Sequence, residues 1–485
     1  MAEYLVKSES LTAMADAIRS KANIVDALSI NQMVTEIQNL SVGDGGTLTV
    51  NTLAGVTVTV SKDDKTFTEI ADAEGIAVFK KLETGTWTVT ISDGEQTSSK
   101  TVSITADYSL PMSFYHVYGI SRDITLPSPE WAREDDAVGY TASASVGSVT
   151  IGHSDFDDCY PWNGIVRETF DTGDVMVKIP KFWFKRYLDG NIEHIKIADK
   201  PIDGFTLHPA FNHANVESDY LYVGAYRNSV VSNKAYSKSG QTPYAKYESF
   251  SSRSTHRYIC TRKGTGWHLF DIAALSAIQM LILVEFANYD VQAVIGSGYV
   301  SGSSTPSVLT GVCDTVANLT GVPSGSDGIT EVVWRGIEGL WGYYFQSLDG
   351  IHYYNGKYYV CNDPSKYDER NNSTYDASAF TELSYMMNNH SNVTNYNNNY
   401  QRIKTVGVDS GNNSHVMMPT EIDRNGSTSE YITDIINFYG PAVDMNFGGD
   451  YSIRGRAGLF ALDCNYNNYT NRTSRLIYIP PKEAD

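Results

Sequence analysis

Positive charge is scarce in this chain. Its 37 Lys and Arg stand against 56 Asp and Glu, a formal net charge of -19, so approach to nucleic acid or to an anionic membrane works against Coulomb repulsion. No nucleic-acid partner is expected. Cysteine is scarce too. Cys159, Cys260, Cys313, Cys361 and Cys464 lie far apart, odd in number and without a CxxC pair, which excludes a disulfide framework and a zinc cage. The ten histidines show no HExxH spacing, so neither a metal site nor a cofactor is expected. Long apolar runs are missing. The most apolar stretch, Leu269 to Phe286, is interrupted by Asp271, Ser276, Gln279 and Glu285, short of the ~18 uninterrupted apolar residues of a membrane helix. It reads as a buried helix of a soluble core, with no membrane insertion. The opening MAEYLVKSES lacks the basic segment, apolar run and cleavage site of a signal peptide, so assembly in the cytoplasm is expected.

What the chain does have is length and apolar content. Its 485 residues, 41% hydrophobic and only 19% charged, suffice for two to four domains of ~100 to 200 residues and for at least one large core. Over residues 1–45, Leu11, Met14, Ala15 and Ile18 fall on one helical stripe and Ile30, Met33, Val34 and Ile37 on another, which predicts a helical hairpin for attachment or oligomerisation. Ser10 is the expected N-cap of the first helix, and Ser29 with Gln32 a capping-box pattern for the second. After the Gly-rich Ser41 to Gly46 the period changes to two. Alternating runs at Thr47–Val50, Val56–Val60, Ile76–Phe79, Thr86–Ile91 and Thr101–Thr105, with turn signals at Asp63-Asp64, Glu74-Gly75 and Asp93-Gly94, predict a small β-sandwich over 46–107. Its closing GIAVFKKLETGTWTVTISDG resembles bacterial immunoglobulin-like spacer modules.

From about Tyr108 simple periodicity fades and Tyr, Asn, Gly and Trp dominate. The expected fold of 108–485 is a mixed domain of loops around the one strong helix, with β-like runs at Val175 to Phe184 and Tyr353 to Cys361. The whole chain therefore reads as multidomain α+β.

Several stretches carry a family likeness. SDFDDCYPWNGI (Ser154 to Ile165), VMVKIPKFWFKRY (Val175 to Tyr187) and DGFTLHPAFNH (Asp203 to His213) resemble segments of phage and prophage tail proteins whose C-terminal domain is C-type-lectin-like, related to formylglycine-generating enzymes. WRGIEGLWGYYFQSLDG (Trp334 to Gly350) is similar to that family's tryptophan-rich core motif. GGDYSIRGRAGLFALDCNYNNYTNRTSRLIYIP, Gly448 to Pro480, resembles the variable region of proteins diversified by retroelements, phage tropism determinants among them. That resemblance implies a fixed scaffold at Gly448, Gly449, Gly455, Ala457, Gly458, Leu459, Phe460, Leu462, Arg475 and Leu476, with changing positions between. It also implies a homo-oligomer, a trimer in the tropism determinants, on a virion tail assembled in the bacterial cytoplasm, with other tail proteins bound through the N-terminus.

The residues between the scaffold positions have the chemistry of a binding surface. Tyr gives a large rigid contact at low entropic cost, and Asn and Ser give adaptable hydrogen bonds. Asp450, Tyr451, Ser452, Arg454, Arg456, Asp463, Asn465, Tyr466, Asn467, Asn468, Tyr469, Asn471 and Arg472 are the candidate ligand surface, facing an unknown bacterial protein or glycan. A second Asn/Tyr-rich stretch, Asn388 to Tyr400, reads more simply as a solvated insertion.

No enzyme is expected. The formylglycine-generating resemblance implies a pair of nearby cysteines, whereas Cys464 stands alone and Gln346 occupies the place of that family's carboxylate. The calcium triplets of sugar-binding lectins do not occur, and Asp155-Asp157-Asp158 and Asn362-Asp363 read as solvated loop carboxylates. The alternatives are a structural tail component without diversified binding and, further off, an oxidase of the formylglycine-generating type. A depolymerase remains open, because paired catalytic carboxylates are set by geometry and not by spacing.

Overall fold

The computed structural model describes Asp16 and Gly45 to Pro481 apart from 148–149, 214–215, 246–252, 304–307, 324–326, 368–378, 389–400, 424–431, 440–441 and 466–471. Asp16 excepted, the helical hairpin expected over the first forty residues lies outside the described residues. Two compact units divide at His116 and Val117.

Alternation builds the first unit. In Gly85–Ser92, Trp87, Val89 and Ile91 point inward, and in Thr57–Lys62, Val58 and Val60 do the same. These strands join Lys65–Ile70 and Thr97–Ile104 in a four-stranded sheet, while Leu48–Asn51, Ile76–Phe79 and Tyr108–Pro111 form a three-stranded one. Both sheets contribute to one core that includes Leu48, Val58, Phe79 and Trp87. The turns sit where the sequence places them. Lys62 pairs with Lys65 across Asp63, which adopts φ 51°, and Gly75 and Gly94 take φ 79° and 96°, conformations that Asp and Gly tolerate. Tyr108–Pro111 pairs in parallel with Leu48–Asn51, so the sandwich extends past residue 107.

The expectation of an α+β chain, with a mixed lectin-like domain, is corrected here: the described residues form a mainly β fold, with 42% strand against 13% helix. The cause lies in strand length. Many strands of the second unit are only two to five residues long, too short to print a period on the sequence. Each of the two β-like runs resolves into two strands: Val175–Pro180 and Trp183–Asp189, which belong to different sheets, and Phe345–Tyr354 turning at Asn355-Gly356 to pair with Lys357–Val360. The second unit contains two five-stranded sheets and a nine-stranded one.

Helix α1 spans Arg253–Thr261 and helix α2 spans Ile272–Phe286. All fifteen residues of α2 are buried, as a helix apolar on every face requires. The residues that interrupt its apolar run make its polar contacts. Asp271 caps the N-terminus, its Oδ1 accepting from the amide of Ala274 at 2.8 Å. The amide Nε2 of Gln279 donates to the carbonyl of Leu459 at 3.2 Å. Glu285 accepts from Ser154 Oγ and Trp334 Nε1, both at 2.9 Å, and from Arg335 Nη2 at 2.7 Å.

The C-terminal strand Leu476–Tyr478 is inserted between Tyr220–Gly224 and Trp267–Leu269. Arg475, just before it, is fully buried. Its Nη1 donates to the carbonyl of Gly224 at 2.7 Å, its Nη2 to those of Glu338 (2.7 Å) and Gly339 (3.0 Å), and its Nε to Gln346 Oε1 at 3.0 Å. Gln346 in turn donates to the carbonyls of Gly339 and Leu340, each at 3.1 Å. The Gln346 amide thus joins a packing network.

Among the described residues three histidines are fully buried. Desolvation pushes His208 well below 6.5 and His256 and His415 down to about 3, so all three are neutral in the fold at ordinary pH. An unfolded histidine takes up its proton near 6.5, so the unfolded state binds more protons below that value. The stability these rings contribute is complete above pH ~6.5 and is lost as pH falls toward the folded values. Glu338 and Asp434, raised by burial to about 7 and about 8, act with the opposite sign, so a single-residue comparison isolates one ring. Unfolding free energy measured against pH should fall from pH 6.5 to 4 less steeply in His415→Leu than in the parent, by about 1.4 kcal/mol per pH unit. Equal slopes would show that His415 titrates in the fold as it does in the open chain.

Candidate functional site

The stretch from Gly448 begins as a loop between paired strands. Ala442–Phe447 and Leu462–Asn465 run antiparallel, with Phe447 opposite Leu462 and Asn446 opposite Asp463, and residues 448–461 connect them. Gly448 and Gly449 open the loop at φ 96° and 77°. A Cβ on Gly449 would lie 2.6 Å from the Cβ of Ala457. At Gly458 it would lie 2.1 Å from an oxygen of Asp434, a buried carboxyl whose Oδ2 accepts from the amide of Phe460 at 2.7 Å. Only glycine fits where backbone and carboxylate approach so closely.

Main-chain bonds hold the loop to its surroundings. The amide of Gly448 donates to the carbonyl of Ala461 (2.9 Å), that of Tyr451 to Tyr343 (3.0 Å) and that of Arg454 to Val300 (3.1 Å). Gln292 Nε2 donates to the carbonyls of Arg454 at 3.1 Å and Ala457 at 2.5 Å. Arg454 is held at φ 54°, the left-handed region that a residue with a side chain rarely occupies, at a cost of order 1–3 kcal/mol.

The candidate surface residues divide by burial. Ser452, Arg454 and Arg456 are exposed and Tyr451 is half-buried, its ring edge-on to Tyr344 at 5.9 Å. Asp450 is buried, its Oδ1 accepting from the amide and hydroxyl of Ser452 at 2.9 and 2.7 Å, and burial raises its carboxyl. Asp463 and Arg472 are also buried, paired at 3.2 Å. Burial raises the Asp463 carboxyl while Arg472 draws it down, and Asn437 Nδ2 adds a donor at 3.2 Å. This pair ties Leu462–Asn465 to Arg472–Thr473, which runs parallel to Phe345–Tyr354. It braces both sides of the stretch between and presents nothing to solvent. Asn465 ends its strand. Tyr466, Asn467, Asn468, Tyr469 and Asn471 lie outside the described residues, as does the second Asn/Tyr-rich stretch from 389 to 400.

Of the scaffold positions, Gly448, Gly449, Ala457, Gly458, Leu459, Phe460, Leu462, Arg475 and Leu476 are buried. Gly455 is exposed and a Cβ there would meet nothing within 4 Å, so it stands with the surface and not with the scaffold. Sequence reasoning missed Gln292, Asp434 and the carbonyls of Val300 and Tyr343, whose contacts span long sequence separations and leave no local signal.

All five cysteines are free and buried, and burial raises the Cys361 thiol and pushes that of Cys464 well above its ordinary value, the opposite of thiolate activation. Asp157 pairs with Arg335 at 2.8 Å and Asp155 accepts from Thr141. No group of three or more potential metal ligands occurs among the described residues. None of the described helices is long and apolar enough to cross a membrane.

The loop's division into support and surface predicts separate stability effects. Gly458→Ala forces its Cβ against Asp434 and should destabilise by about 1–3 kcal/mol, whereas Arg456→Ala should stay within about 0.5 kcal/mol, both measured by denaturant unfolding. Equal effects would mean that the loop is not built this way. No family model matches this chain, and no curated protein matches it.

Proposed function

We propose that this chain is a receptor-binding adhesion protein of a bacteriophage tail, in which the loop after Gly449 and the stretch after Asn465 form a retroelement-diversified ligand surface on a mainly β scaffold. The reading is of a binding protein and not of an enzyme. The ligand is a protein or glycan of the bacterial surface, and the N-terminal segment joins copies of the chain, as a trimer, to other tail proteins. One observation carries the reading: the residues likened to a fixed scaffold, Gly455 excepted, are buried, while Ser452, Arg454 and Arg456 between them are exposed, with Arg454 and Arg456 held through their backbone. A surface fixed through its backbone accepts new side chains without losing its shape. Tyr and Asn supply rigid and adaptable contacts respectively, and many copies on one particle multiply a weak single-site affinity.

Deep sequencing of the gene's 3′ end across one phage population tests this. Substitutions should gather at adenines in the codons for Ser452, Arg454, Arg456 and 465–471. Gly448, Gly449, Gly458, Leu459 and Phe460 should stay fixed, and Asp463 and Arg472 should be spared or change together. Few and scattered changes would sink the diversified reading and leave a structural tail component.

A further inference from the structure

A second feature of the larger unit lies outside the variable stretch. Two open recesses of about 450 Å³ and about 500 Å³ adjoin and share Asn362, Thr381, Asn412 and Asn413. Each has the size of a small-ligand site, ~300–1,000 Å³. The first adds the apolar Leu207, Pro209 and Val360, and the second adds Ser384 and Asp409.

The acidic groups of this cleft are already engaged. Asp363 Oδ1 accepts from the amide and hydroxyl of Ser365 at 3.0 and 2.6 Å, and its Oδ2 pairs with Lys366 at 3.1 Å. Asp409 accepts from the amide of Ser384 at 2.7 Å through one oxygen. Its other oxygen takes the amides of Gly411 and Asn413 at 3.2 and 3.1 Å. Glu382 pairs with Lys357 at 2.6 Å. A cation site needs several hard oxygens converging on one point, and glycoside hydrolysis needs an acid and a base; these carboxylates are spent on turns and on lysines. Their charge also repels an anionic ligand.

The amides are under-used. Asn362 Nδ2 donates to Asn413 Oδ1 at a long 3.3 Å, and Asn362 Oδ1 is buried without a donor. Leaving such an acceptor unpaired is unfavourable. Asn413, only 6% exposed, lines both recesses, and the turn that carries it is wound around the Asp409 carboxylate, so the polar lining is fixed in place. Amides and hydroxyls beside apolar carbon match a ligand that offers many hydroxyls, each both donor and acceptor, along with C–H faces.

We propose that the cleft between Leu207 and Asn413 is a binding site for a neutral saccharide, separate from the variable loop. The hydroxyls of the sugar meet Thr381, Asn412 and Asn413, and its C–H face lies along Leu207 and Pro209. The proposal does not rest on the adhesin reading.

The test uses the full chain with a panel of neutral disaccharides built from glucose, galactose, mannose and N-acetylglucosamine, observed by saturation-transfer difference NMR. At least one sugar should receive saturation. The signal should drop at least tenfold in Asn412→Arg, which fills the open side from an exposed position, and in Asn362→Leu, which removes the unpaired oxygen. Asn362→Leu should keep the near-ultraviolet circular dichroism of the parent, so loss of signal there reports the site and not the fold. Glu95→Ala, exposed in the first unit, should leave the signal unchanged. Absence of transfer from every sugar, or transfer that persists in both asparagine variants, overturns the proposal.

Discussion

A guanidinium sealed inside the protein without a carboxylate on it sets the terms for the larger unit. Arg475 gives its donors to the carbonyls of Gly224, Glu338 and Gly339 and to Gln346, and so links the strand Tyr220–Gly224, the segment around Gly339 and the long strand Phe345–Tyr354 at one point. Burying a charge is expensive unless its hydrogen bonds are made and opposite charge is near. Four acceptors meet the first condition, and the nearby carboxylates of Glu338 and Glu331 oppose the downward push of burial on Arg475. The strand that follows, Leu476–Tyr478, lies between two others directly beyond this anchored group.

The same device recurs. Arg186 pairs with Glu193 and donates to the carbonyls of Ser414, Val416 and Gly407. Arg227 pairs with Glu331 and reaches the carbonyls of Trp341 and Gly342, and Arg335 joins Glu285, Asp157 and the carbonyl of Trp162. Short strands and long connections leave many buried carbonyls without a ladder partner, and each must find a donor. An arginine brings five, in a rigid fork. The loops of this unit are therefore ordered from within by buried arginines where a more regular fold would use backbone pairing.

This explains what the sequence could and could not tell. The sandwich was legible because Trp87, Val89 and Ile91 alternate with polar residues and Asp63, Gly75 and Gly94 mark its turns. Helix α2 was legible because no face of Ile272–Phe286 is polar, and the four residues that break its apolar run proved to be its cap and its side-chain ties. The mainly β character of the rest was not legible. A strand of two residues such as Val333–Trp334 carries no period, and a buried arginine looks in sequence like a surface one. In the candidate site, Gly449 and Gly458 were named only as scaffold positions that a resemblance implies, and their close approaches to Ala457 and Asp434 left no mark in the sequence. The burial of Asp463 and Arg472 left none either, because it depends on Asn437 and on pairing with Phe345–Tyr354, both far off in the chain.

The backbone angle at Arg454 shapes which repertoire the exposed loop can explore. Its amide must donate to Val300 and its φ is 54°, so proline is barred outright and β-branched residues are strained. Glycine and asparagine sit there most easily. Ser452 and Arg456, without a positive φ, carry no such filter. Chemical variety at the tip of the loop is therefore graded residue by residue: broad on either side, and narrowed at its centre to the residue types that tolerate a left-handed turn.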